Sequence, residues 1–179
     1  MTSPAGGPVV ILIGSPGAGK STVGRRVAKQ LGVAFLDSDA EIEREAGVSV
    51  SDIFVTEGEA AFRDRETATV LRCLAEHPGV LSLGGGSVMR EETRAALEGH
   101  RVVWLRVSLS DAASRVGMNT ARPLLLGNVR ATLGSLLEQR NPIYEAVASD
   151  VVDTSGRSLR QVVDAVLETL GNDGGREST

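Results

Sequence analysis

Aromatic side chains are scarce: three Phe, one Trp and one Tyr in 179 residues. So few rings leave no stacking platform for nucleic-acid bases. A formal net charge of −4 also denies the chain a general basic footprint for nucleic acid. Cysteine is nearly absent. Cys73 stands alone, which excludes an internal disulfide framework or a cysteine-built metal cluster and suits a reducing compartment. No apolar run approaches the length of a membrane span. The opening residues lack the charged-then-apolar pattern of a secretory leader. There is no internal repeat, and no Asn-Lys-x-Asp guanine signature, which argues against a GTPase switch. These absences predict a cytoplasmic chain with no membrane and no nucleic-acid partner. Residues 1–179 suffice for one domain with a real core, expected over 9–170, with small, glycine-rich ends at 1–8 and 171–179.

What the chain does have is alternation. Short apolar runs at 9–13, 34–36, 80–83, 102–107 and 151–152 read as strands. Helical spacing predicts helices near 20–31, 39–46, 59–76, 91–97, 110–116, 129–148 and 159–170. Such alternation means a three-layer α/β fold, a parallel sheet covered by helices on both faces. Ligands of such sheets bind beyond the carboxyl ends of the strands. Residues 117–128 lack periodicity and hold Gly117, Pro123 and Gly127 around Arg122, so they are the expected lid.

Directly after the first strand stands Gly14-Ser15-Pro16-Gly17-Ala18-Gly19-Lys20-Ser21, a complete G-x-x-x-x-G-K-S phosphate loop. The helix after it shows Val23, Val27 and Leu31 on one face. Glycines let the backbone wrap a phosphate, and the helix N-terminus adds partial positive charge. Lys20 is placed to reach the terminal phosphates and Ser21 to offer its hydroxyl to Mg²⁺. Gly17, Ala18, Gly19, Lys20, Ser21 and Thr22 are the expected nucleotide contacts.

Asp37 and Asp39 close the second predicted strand. Residues i and i+2 of an extended chain face one side, so both carboxylates are expected in the cleft. One can hold Mg²⁺, which keeps much of its hydration. The other can accept a proton from an attacking hydroxyl. Ser38-Asp39-Ala40-Glu41 also reads as a helix capping box, and the two readings are compatible. Gly84, Gly85 and Gly86 follow the third strand, where bare backbone allows an anionic or hydroxylated ligand to come close; the alternative is a plain turn. Arg140 falls on the apolar stripe Val129, Leu133, Leu136, Leu137, Ile143, Tyr144 and Val147, four residues after Leu136. A buried arginine needs an anion, either an internal carboxylate or one on a ligand. Pro142 is expected to kink or break that helix. Arg63 has Glu59 and Glu66 at helical spacing as local partners. Arg122 has none nearby, so a ligand phosphate is its expected partner. His77 and His100 read as surface or turn residues, and Cys73 as a small helical hydrophobe.

The ordered set Asp37-x-Asp39, Phe62-Arg63, Gly84-Gly85-Gly86, Arg122-Pro123-Leu124 and Arg140 resembles the shikimate kinases, over about residues 9–170. That resemblance implies a five-stranded parallel sheet of the phosphate-loop nucleoside-kinase type, with a lid. It places Asp39, Arg63, Gly85 and Arg140 on shikimate, with both arginines on its carboxylate and Glu66 orienting Arg63. It puts Asp37 and Ser21 on Mg²⁺, Arg122 on the transferring phosphate, and Arg115 and Arg157 on the adenine nucleotide. Two features depart from the pattern. The adenine-side stretch is Arg157-Ser158-Leu159 without a nearby proline, and the lid begins Gly117-Met118 rather than with paired glycines. The implied reaction is phosphorylation of the shikimate 3-hydroxyl by ATP, a step toward aromatic amino acids, performed by a monomer. Lys20, Asp39 and Arg122 are its expected catalytic residues. The alternative is another small-metabolite kinase, such as one for gluconate.

Overall fold

The computed structural model describes residues 6–119 and 126–172. Its central strand β1, Val10–Ile13, is buried along its whole length, as an apolar run flanked on both faces must be. The other strands are β2 (Phe35–Asp37), β3 (Val80–Ser82), β4 (Val102–Arg106) and β5 (Asp150–Asp153). All pairs are parallel, in the order β2-β3-β1-β4-β5. Seven helices are described: α1 (Lys20–Leu31), α2 (Ser38–Ala46), α3 (Val50–Glu76), α4 (Glu91–Leu97), α5 (Leu109–Asn119), α6 (Leu126–Val147) and α7 (Leu159–Gly171). Among the described residues no helix is long and apolar enough to cross a membrane.

Strand alternation divides the core between the two faces. Val10 and Leu12 pack with Val23 and Val27 of α1 and with Val162 and Val166 of α7. Ile11 and Ile13 pack on the other side with Val70 and Cys73 of α3 and Tyr144 of α6. Cys73 is the small buried hydrophobe expected of it, and burial pushes its thiol up to about 11. A third, small cluster of Ile42, Ile53 and Phe62 joins α2 to α3 beyond the sheet edge.

The structure corrects four expectations. A helical stretch precedes residue 59, because Ser49 caps α3 through the Asp52 N–H at 3.1 Å and Ile53 is buried. Gly58, at φ 85 and ψ 169, breaks α3 between this stretch and the helix that was expected. Both ends of the segment expected as a lid are helical: 117–119 belong to α5 and 126–128 to α6. Arg122 lies outside the described residues. Of the kink or break expected at Pro142, the break is absent: α6 runs through it to Val147, close to the expected end at 148. His100 lies in the turn after α4, but it is only 9% exposed rather than on the surface, and burial lowers its pKa.

Ion pairs fasten α2 to α3. Arg44 grips Glu41 with two nitrogens, at 2.6 and 2.9 Å, and Arg72 of α3 reaches the same carboxylate at 3.2 Å. Arg44, then Arg72, holds the Glu41 carboxyl down at about 2, against 4.5 ordinarily. The unfolded chain therefore binds the proton first on acidification. The contribution of Glu41 to stability is complete above pH 4.5 and is lost as pH falls toward 2. In urea melts between those pH values, Glu41→Gln should show a shallower acid loss than the parent chain. Equal slopes would remove this pair from the acid response.

Candidate active site

The loop from β1 into α1 is a prepared anion site. Gly19 caps α1 at φ 86, no side chain bonds the first-turn amides, and no acidic residue sits in that turn. Those amides and the helix dipole face a ligand position. Gly17 stands at φ 81, and a Cβ there would lie 2.9 Å from the Ala112 carbonyl, so only glycine fits. Lys20 curls over the loop, donating to Gly14 O at 2.8 Å and Ser15 O at 3.1 Å. Burial pushes its ammonium down to about 8, with Asp39 and Asp37 opposing the shift. A phosphate would supply the compensating charge.

Asp37 works with both oxygens. Oδ2 accepts from Ser21 Oγ at 2.6 Å. Oδ1 caps α2, accepting from Asp39 N at 2.9 Å and Ala40 N at 3.3 Å. The cap is therefore Asp37, not a box starting at Ser38. Ser38 is already helical, fully buried, and its hydroxyl is taken by Gly84 N at 3.0 Å. Asp39 likewise reaches the cleft from the first turn of α2, not by strand alternation. Ser21 and Asp37 present two hard oxygen donors beside the loop. This set suits Mg²⁺, which takes one or two protein ligands and fills its remaining positions with water and phosphate oxygens.

The three glycines have a reason that appears only in three dimensions. A Cβ on Gly84 would lie 2.5 Å from Asp39 Oδ1, and one on Gly86 2.5 Å from the Arg63 guanidinium. At Gly85 it would lie 3.3 Å from Arg140 Nη1. Each glycine thus makes room for one of the polar groups singled out by the sequence. Asp39 Oδ1 and Arg140 Nε are buried without a hydrogen-bond partner among the described residues. Buried polar atoms are rarely left so, and two on one strip mark a place for a polar ligand. Burial raises the Asp39 pKa, Asp37 adds to the rise, and Lys20 opposes it. Arg63 pairs with the buried Glu66 at 2.7 Å and more loosely with Glu59 at 3.8 Å. Burial raises the Glu66 pKa despite that pairing. Arg140 forms no ion pair within 4 Å among the described residues, and the buried Glu66 is the internal carboxylate whose pKa it lowers from a distance.

A cleft of about 430 Å³ joins the phosphate loop to the start of the glycine strip. Arg63, Gly86 and Arg140 do not line it; Lys20, Ser21, Asp37, Asp39, Gly84 and Gly85 do, among others. Arg115 also borders it and donates to Gly17 O at 3.0 Å. Behind the loop a second cleft of about 260 Å³ is bounded by Gly19, Thr22, Arg115, Thr154 and Arg157. Arg157 stands there only, and Ala18 is buried at its floor. Gly86 lies buried under Arg63. Sequence reasoning missed the bond from Gly84 N to Ser38 Oγ, Thr154, and the hydroxyl of Tyr144, which donates to Gly85 O at 2.6 Å. Thr154 follows β5 at the carboxyl edge, a position that could have singled it out. Tyr144 was hidden as one more member of an apolar stripe.

Comparison with known proteins bears on the same elements. The family model described as shikimate kinase matches residues 16–171. The shikimate kinase of Thermobifida fusca (strain YX) is 56% identical over 163 residues, covering 91% of this chain and 95% of that protein. That of Salinispora tropica is 54% identical, covering 91% and 98%. Among solved structures, the shikimate kinase from Acinetobacter baumannii in complex with shikimate superposes with a TM-score of 0.85 at 36% identity, over 93% of this chain and 94% of that one. A phosphate loop alone serves many nucleotide-binding proteins; with this match extending through the glycine strip and across both faces of the sheet, the chain belongs to the shikimate kinase family.

Proposed function

We propose that this chain transfers the γ-phosphoryl group of ATP to the 3-hydroxyl of shikimate, giving shikimate 3-phosphate and ADP. The observation that carries the assignment to these residues is the pair of orphaned buried atoms, Asp39 Oδ1 and Arg140 Nε, on a glycine strip beside a phosphate loop. One calls for a hydrogen-bond donor such as a hydroxyl, the other for an acceptor such as a carboxylate. The loop amides and Lys20 hold the phosphates, with the adenine side in the cleft bounded by Arg115 and Arg157. Ser21 and Asp37 are the residues that would hold Mg²⁺, which would offset charge on the phosphate oxygens. Asp39 orients the hydroxyl and accepts its proton. Arg63, steadied by Glu66, and Arg140 take the carboxylate, so binding energy far from the reacting oxygen fixes its position. Arg122 is the further cation for the moving phosphoryl group, an assignment that rests on its place in the sequence. The enzyme works as a monomer in the cytoplasm.

A coupled assay of ADP release with Mg-ATP tests the reading. Shikimate should be turned over and gluconate left essentially untouched. Gluconate also carries a carboxylate and hydroxyls, so equal turnover of the two acids, or of neither, would overturn the substrate assignment.

A further inference from the structure

α6 presents two side chains to the glycine strip, Arg140 and, one turn later, Tyr144. Tyr144 is 0% exposed, with its ring centroid 5.9 Å from that of Trp104. Its hydroxyl donates to the Gly85 carbonyl at 2.6 Å. Pro142 lies between the two residues. Lacking an N–H, it cannot bond the Glu138 carbonyl, so the helix ladder is interrupted near Arg140. The backbone alone therefore holds this stretch less firmly than an unbroken helix would.

The bonding of the strip shows what compensates. Gly84 O accepts from Ser87 N at 3.0 Å and Ser87 Oγ at 2.7 Å, and Gly86 O from Met89 N at 3.1 Å. Among the described residues Gly85 O is bonded to Tyr144. That peptide carries no side chain to restrain it, and Arg140 Nη1 lies against it. We propose that Tyr144 is a positioning residue for the substrate carboxylate: its hydroxyl ties α6 to the Gly85 carbonyl and thereby sets where the Arg140 guanidinium stands. This rests on the reading of Arg140 as a carboxylate ligand. A tyrosine serving only the core would also bond its buried hydroxyl, but losing that bond would then lower stability without moving the shikimate KM.

Tyr144→Phe keeps the ring and its packing and removes the tie. Loss of one buried hydrogen bond should raise the KM for shikimate roughly three- to tenfold. kcat and the KM for ATP should stay within about twofold, since neither the loop nor Asp39 is touched. An analogue with a primary amide in place of the carboxylate should inhibit parent and variant equally. Arg140→Lys, measured beside it, should raise the shikimate KM roughly ten- to a hundredfold, because lysine cannot form the two-pronged contact. In the double variant Tyr144→Phe should then add little. If Arg140→Lys leaves the shikimate KM unchanged, the carboxylate reading of Arg140 fails, and the proposal with it. If Arg140→Lys weakens shikimate but a folded Tyr144→Phe does not, the positioning role alone is overturned. Equal rises in both KM values, or a lowered melting point without any KM shift, would likewise reduce Tyr144 to a core residue.

Discussion

Lys20→Ala is expected to lower turnover by at least roughly a hundred- to a thousandfold while leaving the chain folded. In phosphoryl transfer, negative charge is spread over the phosphoryl oxygens and develops on the leaving oxygen, and a preset cation beside them stabilises that change without reorganising. Lys20 is preset: it bonds the Gly14 and Ser15 carbonyls and stands at the mouth of the anion site. Its removal need not unfold the protein, because the ammonium is held under strain by burial, which is why its pKa falls to about 8. The sign of the pH dependence follows. Between about 8 and 10.5 the unfolded chain binds the Lys20 proton and the folded chain does not, so stability rises with pH across that window. In Lys20→Ala that rise should vanish. Steady-state turnover together with melts from pH 7 to 10 checks both halves. Near-normal turnover in the variant would end the phosphate-loop assignment.

Asp39→Asn should cost turnover about a hundred- to ten-thousandfold and leave ATP affinity nearly unchanged. An amide can orient a hydroxyl but cannot take its proton. The helix start is not at risk, because Asp37 caps α2 and Asp39 does not. Burial and the neighbouring Asp37 raise the Asp39 pKa, which makes its carboxylate a stronger base than an exposed aspartate. The parent enzyme should therefore lose turnover as acid protonates this group, at a pH above the usual aspartate range. That acid limb should be missing from whatever activity Asp39→Asn retains. Rates across pH, with calorimetric titration of ATP, decide the matter. An unchanged turnover number in the folded variant would leave Asp39 with no part in the chemistry.

The features readable in the chain itself are those set by neighbours in sequence. A phosphate loop is local: strand, glycines, lysine and helix follow one another, and their dihedral needs are written in the residues. Apolar runs and helical stripes likewise announced the five strands and most helices, since periodicity reports which face is buried. Arg63 beside Glu66 was visible because one helical turn places them together. Tertiary structure alone decided the rest. The order β2-β3-β1-β4-β5 sets β3 next to β1, so the glycine strip comes to lie beside the phosphate loop. It also brings α2, α3 and α6 onto that strip, and only then does each glycine face one of Asp39, Arg63 and Arg140. Asp37 rather than Ser38 became the helix cap because Ser38 had a distant competitor for its hydroxyl, the Gly84 amide. The Tyr144 hydroxyl found its partner across the fold in the same way. Hydrogen bonds between distant segments leave no periodicity in a sequence, because they depend on packing that every other residue helps to determine.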